Sequence, residues 1–143
     1  MPTHPDEVRR RIAPDEVQTQ IILGSLLGDA TLFGPAGKRR LSVVHPMTRL
    51  AYASWKHDQL GSLVGMPLRS DGDLVWFDTI AHPFFDDLDP LFDRAGGVAR
   101  IRRERVLPRL APLGLAVWLC DIGRAQLDPS AFLPSQARLA LSA

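Results

Sequence analysis

The sequence predicts an α+β protein in which helices and short strands alternate along one chain. Three observations support this fold class. Two apolar segments, "ILGSLLGDA" at 22–30 and "GLAVWLCDIG" at 114–123, have the composition and length of buried helices. Between them, short runs rich in valine, leucine and aromatic residues are separated by glycine-containing turns, as in antiparallel hairpins. The 143 residues, 45% hydrophobic and 23% charged, suit a single globular domain.

The composition also excludes several classes of protein. One cysteine, Cys120, rules out an internal disulfide and is compatible with a reducing cytosol, so we expect a cytoplasmic protein. No run reaches the roughly 18 to 20 apolar residues that cross a membrane, and the polar start "MPTHPDEVRRRIAP" lacks the apolar core of a signal peptide. A net charge of +1 permits a nucleic-acid partner without indicating one.

The first predicted helix begins after Pro14 and runs to about Asp29. Proline and acidic residues favour the first turn of a helix, and "PDEV" supplies both. Its apolar positions Val17, Ile21 and Leu27, with Gly24 and Gly28, suit one helix. The segment "TLFGPAGKRR" then predicts a turn between two short strands, the second of which is "RRLSVVH".

A second helix is expected from Pro46, with core positions at Leu50, Trp55, Leu60 and Leu63. On this helix, Tyr52 is expected to be a packing residue with a polar tip, and Lys56 either binds a phosphate or is solvated. The next segment predicts a hairpin that turns at Ser70-Asp71-Gly72.

A third helix, "PFFDDLDPLFDR", is expected from Pro83, and Gly96-Gly97 with the following arginines forms a connector. The tail after Pro134 is expected to form a short helix. His45 and His82 each precede a proline where a strand passes into a helix. Both the turn chemistry of such junctions and a metal-ligand role are compatible with these histidines, and the first is the simpler interpretation.

Asp29 lies where a helix should end, although the C-terminal end of a helix carries partial negative charge and favours a cation. Gly24 and Gly28 precede it, and small residues four apart allow two helices to approach closely. Ala116 and Cys120 have the same spacing before Asp121. If the two helices pack side by side and parallel, Asp29 and Asp121 lie close together at the same end of the pair.

Two carboxylates at two negative helix ends repel each other unless a cation lies between them. Oxygen ligands of this kind favour Mg²⁺ or another divalent cation over zinc. Such a metal beside a phosphate is suited to hydrolysis of a phosphodiester. The spacing therefore predicts a shared site at Asp29 and Asp121.

These two motifs, with a basic strand, an aromatic helix and a hairpin between them, resemble the LAGLIDADG homing endonucleases over roughly residues 15–125. The resemblance implies a saddle-shaped fold of αββαββα repeats, with the motif helices at its centre and the sheets on double-stranded DNA. It implies one domain over 1–143, with a first repeat at about 15–95, a linker at 96–109, and a second motif helix with a short tail at 110–143. Asp29 matches the first catalytic acid, and the glycines Gly24 and Gly28 match helix-contact positions.

The second motif departs from the family pattern, which often ends in two acids and a glycine. If the second motif is aligned with the family on Gly123, Ile122 takes the place of the acid before the glycine. If it is aligned on its acid instead, Asp121 corresponds to Asp29. One helical position is a rotation of about 100°, so the two alignments aim the carboxylate differently. Only about 20 residues follow the motif, so a second repeat is expected to be incomplete and a homodimer is one way to complete it.

The charge distribution supplies candidate DNA contacts. Residues 98–109 hold five arginines against one glutamate, whereas residues 71–93 hold seven aspartates and no lysine or arginine. The basic run is either a solvated face or a phosphate contact. The expected DNA-binding residues are Lys38, Arg39, Arg40, Arg69, Arg102 and Arg103.

The resemblance implies an ancestral divalent-metal-dependent DNA endonuclease, of the kind that confers intron or intein mobility. Three interpretations stay open at the level of sequence. The chain either cuts DNA, binds DNA as a catalytically inactive or regulatory descendant, or uses these residues only for packing.

Overall fold

The computed structural model of the chain describes residues 5–97 and 99–123. The helices in these ranges are α1 (Pro5–Arg10), α2 (Glu16–Leu27), α3 (Leu50–Leu60), α4 (Pro83–Asp86), α5 (Arg103–Val106) and α6 (Pro112–Ile122). The strands are β1 (Ala30–Phe33), β2 (Arg40–Pro46), β3 (Arg69–Asp71), β4 (Leu74–Asp78), β5 (Phe92–Asp93) and β6 (Arg100–Ile101). From α2 to α4 the order is αββαββα, so the predicted α+β class and the order of one repeat are confirmed.

The first four strands form one antiparallel sheet in the order β1-β2-β4-β3. Burial alternates along β2, where Leu41 and Val43 face the core and Val44 is exposed. Strand β4 alternates in the same way, with Phe77 buried and Leu74 exposed. One face of the sheet therefore covers the hydrophobic core, and the other face, the open face, carries no covering helix among the described residues.

Helix α2 begins at a capping box. The Asp15 carboxylate accepts a hydrogen bond from the Gln18 backbone N–H at 2.8 Å, and the Gln18 side chain accepts one from the Asp15 N–H at 3.0 Å. Such reciprocal caps satisfy two of the backbone donors that a helix leaves unpaired at its N-terminus. The helix ends at Gly28, and its residues 20–27 are all buried. It is thus the central helix of the core, although Val17 in its first turn is 42% exposed.

Helix α3 is preceded by a 3-10 turn at Met47–Arg49 and followed by another at Gly61–Leu63. Leu60 and Leu63 are fully buried, as predicted. Leu50 is 46% exposed, because it lies at the first residue of the helix and outside the packed face. The hairpin turn is also one position later than predicted, since Asp71 pairs with Leu74 in the β3–β4 ladder.

The segment after Pro83 is less helical than the sequence predicts. Helix α4 spans four residues and is followed by a 3-10 turn at Asp89–Leu91, which leads into β5. Pro90 lacks a backbone N–H and restricts the residue before it, so a longer helix cannot continue through this point. The expected connector is likewise partly structured, because β6 pairs with β5 and α5 follows.

The predicted tail helix after Pro134 lies outside the described residues. Within the described ranges, none of the helices has both the length and the apolar character that crossing a membrane requires.

Candidate functional site

Helices α2 and α6 pack side by side and parallel, with their C-terminal ends together. A Cβ added at Gly24 would collide with the Gly114 carbonyl oxygen and lie 2.9 Å from the Val117 Cβ. A Cβ added at Gly28 would lie 2.5 Å from Asp121 Oδ2. Only glycine fits at both points of closest approach. The two motif helices therefore pack closely, and both glycines lie at their contact.

The contacts on α6 differ from those expected. Ala116 is exposed and does not face α2, and the residues of α6 that do so are Gly114, Val117 and Asp121. Cys120 is half-buried, and its carbonyl oxygen accepts a hydrogen bond from Arg49 Nη1 at 2.7 Å. The small residues predicted at the interface thus lie beside it, because the α6 contact face is rotated from the Ala116–Cys120 line.

Two of these contacts favour one alignment of the two motifs. Gly24 lies against Val117 and Gly28 against Asp121, with the same offset along the chain. Two parallel helices packed with a constant offset place equivalent positions opposite each other. By this offset Asp121 is equivalent to Gly28, and Ile122 is equivalent to Asp29. The geometry therefore agrees with the alignment on Gly123, in which the second motif has lost its terminal acid.

Asp121 is fully buried and accepts hydrogen bonds on both carboxylate oxygens. Lys56 Nζ lies 3.0 Å from Oδ1 and 3.1 Å from Oδ2. The Tyr52 hydroxyl donates to Oδ1 at 2.7 Å, and the backbone N–H of Asp29 donates to Oδ2 at 3.0 Å. The compensating cation expected at this helix end is therefore the ammonium group of Lys56.

Burial shifts the pKa of both side chains that contact Asp121. Desolvation lowers the pKa of Lys56, and the attraction and hydrogen bond of the Asp121 carboxylate oppose that shift. Burial raises the pKa of Tyr52, and the Asp121 charge and the hydrogen bond to it act in the same direction. Both shifts follow from placing ionisable groups around one carboxylate away from water.

His45 lies between the two acids on the core face of β2. Its Nδ1 is 3.6 Å from Asp29 Oδ2, and its Nε2 is 4.0 Å from Asp121 Oδ1. Neither ring nitrogen makes a hydrogen bond in the described structure. His45, Asp29 and Asp121 each offer a ligand atom, and these atoms lie within 4.8 Å of one another, so a possible acidic and histidine metal site exists here.

The donor set tests which of these groups suits a divalent cation. An ion bound at Asp121 would lie beside the Lys56 ammonium and compete with the donors already on both carboxylate oxygens. A divalent ion at Asp121 would thus have to displace donors of the protein from its carboxylate. The Asp29 side chain follows directly on the end of α2 and is 21% exposed, although its Oδ2 is buried.

His82 has the simpler of its two predicted roles. Its Nδ1 accepts a hydrogen bond from the Phe84 N–H at 3.0 Å and caps α4. The other ring nitrogen, Nε2, is therefore protonated and donates to the Ile12 carbonyl oxygen at 2.9 Å. This histidine is a structural cap that also holds the N-terminal segment.

The six predicted DNA-binding residues lie in three different environments. Arg40 is exposed at the start of β2, and Arg69, which is opposite Trp76 in the β3–β4 ladder, is exposed with its guanidinium 5.5 Å from that ring. By strand alternation both lie on the open face. Lys38 is exposed in the turn before Arg40.

The other three residues are not on that face. Arg39 is 8% exposed, and its guanidinium lies 3.1 Å from Asp89 Oδ2 and 3.9 Å from Asp86 Oδ1. Arg39 therefore neutralises acids within the fold and does not offer its charge to a ligand. Arg102 and Arg103 belong to the β6–α5 segment, which packs on the turn at Asp89–Leu91 and is not part of the four-stranded sheet.

Helix α3 supplies groups whose role at the site the sequence did not predict. Lys56 is fully buried against Asp121, so it is neither solvated nor open to a phosphate, as had been expected. Tyr52 and Lys56 are one turn apart on the same face of this helix, and Arg49 precedes Tyr52 by three positions, with its guanidinium 4.5 Å from the ring. The available signal was the i, i+4 spacing of a tyrosine and a lysine inside a helix that also carries core residues. Nothing in the sequence connects that face to Asp121, which is distant along the chain.

A helix pair with glycine contacts, set on an antiparallel sheet in αββαββα order, defines the class of protein. The model of the LAGLIDADG DNA endonuclease family matches residues 19–141, and the chain belongs to this family.

Two known proteins show the extent of the similarity. The chain is 29% identical over 109 residues to the protein RecA of Mycolicibacterium flavescens. The aligned region covers 74% of this chain and 26% of that protein. Its fold is similar to the structure of the homing endonuclease I-WcaI bound to its DNA recognition sequence, with a TM-score of 0.64 and 19% identity. That match covers 81% of this chain and 56% of I-WcaI. The chain thus spans about a quarter of the first protein and just over half of the second.

Proposed function

We propose that the chain binds double-stranded DNA through the open face of the β1–β4 sheet, and that Asp29 is the one motif acid that faces the DNA. The observation that carries this proposal is the composition of the open face. Exposed cationic residues, Arg40 and Arg69, stand beside polar and apolar side chains that alternate with the core positions. Arginine binds phosphate and guanine edges, and apolar groups contact thymine methyl groups.

Two acids on the same face reduce its positive charge. Asp71 is exposed at the end of β3, and Asp78, opposite Ser42, is half-buried on β4. A carboxylate repels phosphates but accepts a hydrogen bond from the amino group of cytosine. The mixture of charges favours contacts with base edges over uniform attraction to the DNA backbone.

Asp29 directly precedes β1, so its carboxylate lies where the motif helix meets the sheet. Mg²⁺ or another divalent cation at Asp29 would neutralise a DNA phosphate and lower the pKa of a bound water. Asp29 is the residue of this chain that would hold the metal, and Asp121 takes no part because Lys56 and Tyr52 bind it. By the offset of the Gly24–Val117 and Gly28–Asp121 contacts, Ile122 is the counterpart of Asp29, so one of the two strand-cutting positions would have no acid.

The fold leaves the motif-helix interface complete within one chain. The glycine face of α2 that a homodimer would use is covered by α6. The proposed DNA complex therefore needs no second copy at this interface, and sedimentation at one chain mass on its own would agree with it.

Binding is tested with a fluorescent duplex of random sequence, titrated at several salt concentrations. We expect affinity to fall steeply with salt, since each neutralised phosphate releases counterions. Arg40→Ala and Arg69→Ala should weaken binding, whereas Arg103→Ala, on α5, is the matched control and should change it less. Salt-independent binding, or equal losses in all three variants, would contradict binding by the open face.

Cleavage is tested on supercoiled plasmid with Mg²⁺. A site with a single motif acid is expected to cut one strand only, so the product should be nicked circles without linear DNA. Asp29→Asn should abolish nicking. Asp58→Asn, which changes an exposed acid elsewhere, is the control and should retain it. Linear product from the native chain, or nicking that survives Asp29→Asn, would contradict the proposed role. A second candidate function, DNA binding without cleavage, is favoured by the buried Lys56–Asp121 pair and would be identified by intact binding with no nicking at all.

A further inference from the structure

Residues 5–12 precede the part of the chain that the family model matches, and they dock against the fold at two points. Arg10 Nε donates a hydrogen bond to the Ala81 carbonyl oxygen at 3.0 Å. The Ile12 carbonyl oxygen accepts one from His82 Nε2 at 2.9 Å. These bonds join α1 and the residues after it to the segment that connects β4 to α4.

This docking creates a concave surface, which we call the basic cleft. Its volume is about 310 Å³, and it is lined by Arg10, Gly37, Lys38, Arg40, Ala81, His82 and Pro83. Three of these described residues carry a positive charge, and none is a carboxylate. The cations come from three separate elements: the end of α1, the β1–β2 turn and the start of β2.

One acid, Asp86, borders the cleft, and it is paired with Arg39. The neighbouring Asp86 carboxylate accepts a hydrogen bond from the Gly37 N–H at 2.7 Å and lies 3.9 Å from Arg39. Arg10 binds the backbone through Nε alone, and a guanidinium carries further N–H donors for a ligand. A concave site with three cations suits a compact anion with several acceptor oxygens, which is the chemistry of a phosphate group.

We propose that the basic cleft binds a backbone phosphate of DNA, so that residues outside the family match extend the DNA-binding surface. The geometry connects the two, because Arg40 belongs both to the cleft and to the open face of the sheet. A duplex lying on the open face would thus meet Arg10 and Lys38 next. This inference rests on the proposed function, but the cleft can be tested without DNA.

The first measurement is a titration of the native chain with inorganic phosphate, followed by the amide NMR signals of Gly37, Lys38 and Ala81, against chloride at the same ionic strength. We expect these signals to shift with phosphate and the shifts to be lost in Arg10→Ala. Arg11→Ala is the matched control, because Arg11 is the exposed neighbour of the same charge and does not line the cleft. Lys38→Ala, in an exposed turn, repeats the test without disturbing the docked segment.

The second measurement is the binding of a random-sequence duplex as a function of salt. Arg10→Ala and Lys38→Ala should each reduce the slope of log affinity against log salt by about 1, as expected for one lost phosphate contact. Arg11→Ala should leave the slope unchanged. Absence of phosphate shifts in the native chain, or equal effects of Arg10→Ala and Arg11→Ala in both measurements, would overturn the proposal.

The two measurements separate the cleft from the proposed function. Phosphate shifts without any duplex binding would retain the cleft as a phosphate site and reject DNA as the ligand of the sheet. Duplex binding with phosphate shifts but equal salt slopes for Arg10→Ala and Arg11→Ala would identify free phosphate as the ligand and overturn the DNA assignment of the cleft.

Discussion

Lys56 and Asp121 form a fully buried ion pair between α3 and α6, with the ammonium within 3.1 Å of both carboxylate oxygens. The acid at the end of the second motif helix is thus neutralised by a side chain of the same chain. Removing one partner of a buried pair leaves an uncompensated charge, which is far more costly than replacing both.

Lys56→Met is therefore expected to lower the free energy of unfolding by about 3 to 5 kcal/mol. The double variant Lys56→Met/Asp121→Asn should recover part of that loss, because no buried charge is left without a counter-ion. Urea denaturation of the single and double variants measures the difference.

The control for this prediction is Lys38→Met, which removes the other lysine of the chain from an exposed turn. It should change stability by no more than about 0.5 kcal/mol. If Lys56→Met were as mild as Lys38→Met, the ammonium would not be compensating a buried carboxylate.

Gly28→Ala is expected to destabilise the helix pair, because its methyl group would meet the Asp121 carboxylate. Gly24→Ala would meet the Gly114 backbone, which cannot yield as a flexible side chain can. We expect a loss of about 1 to 3 kcal/mol from overpacking in each variant. At Gly24, inside α2, this reverses the usual sign, because alanine ordinarily favours a helix over glycine. Thermal unfolding monitored by circular dichroism measures both variants.

Ala116→Leu distinguishes the observed interface from the one that the small-residue spacing predicted. Ala116 is exposed, so leucine there should change stability little. A large loss of stability in Ala116→Leu together with a gain in Gly24→Ala would contradict the observed interface. It would mean that the Ala116 face of α6 packs against α2.

The helix pair and the sheet could be predicted because they leave local signals. Short stretches of sequence are enough to identify these features: the glycines at 24 and 28, the turn around Gly72 and the alternation of buried and exposed residues in β2. The segment after Pro83 was predicted as too long a helix because its apolar pattern continues past Pro90, where the backbone cannot.

The chemistry around Asp121 could not be predicted in the same way. Its partners, Tyr52 and Lys56, lie on another helix and are distant in sequence, so no local spacing records the contact. The rotation of α6 is also a tertiary outcome, and it decides that Asp121 packs inward while Ala116 is exposed. Two alignments that were equivalent by sequence are separated only by this packing.

Tyr52, the one tyrosine of the chain, should resist ionisation in the folded state. Burial and the Asp121 charge raise its pKa above the ordinary value of 10.0. Ultraviolet difference spectra should show no phenolate near pH 10 in the native protein, and a transition there in urea. A native transition near pH 10 would mean that the hydroxyl is not bound to the carboxylate.

The same shift predicts how stability depends on pH. A group whose folded pKa is raised contributes stability that is present below its unfolded pKa of 10.0 and is lost as the pH rises toward the folded value. Lys56, whose pKa is lowered from 10.5, contributes the opposite slope below that pH. Tyr52→Phe removes only the tyrosine contribution, so its stability should fall less than that of the native chain above pH 10.

Ile122→Asp tests whether position 122 is the lost counterpart of Asp29. The constant helix offset places the new carboxylate opposite Asp29, at two negative helix ends, so the variant should be less stable than the native chain in EDTA. A divalent cation that binds only the folded state stabilises it in proportion to the logarithm of its concentration over its Kd. Mg²⁺ should therefore raise the Tm of Ile122→Asp by more than it raises that of the native chain.

Ile122→Asn is the matched control, since it has the same size as aspartate and no charge. It should show the native response to Mg²⁺, and Asp29→Asn should cancel the gain when combined with Ile122→Asp. An equal Mg²⁺ response in the aspartate and asparagine variants would separate position 122 from Asp29 and favour Asp121 as the second acid. A gain confined to the aspartate variant would instead mean that one substitution rebuilds a two-acid cation site, because the packing of α2 on α6 already holds both positions together.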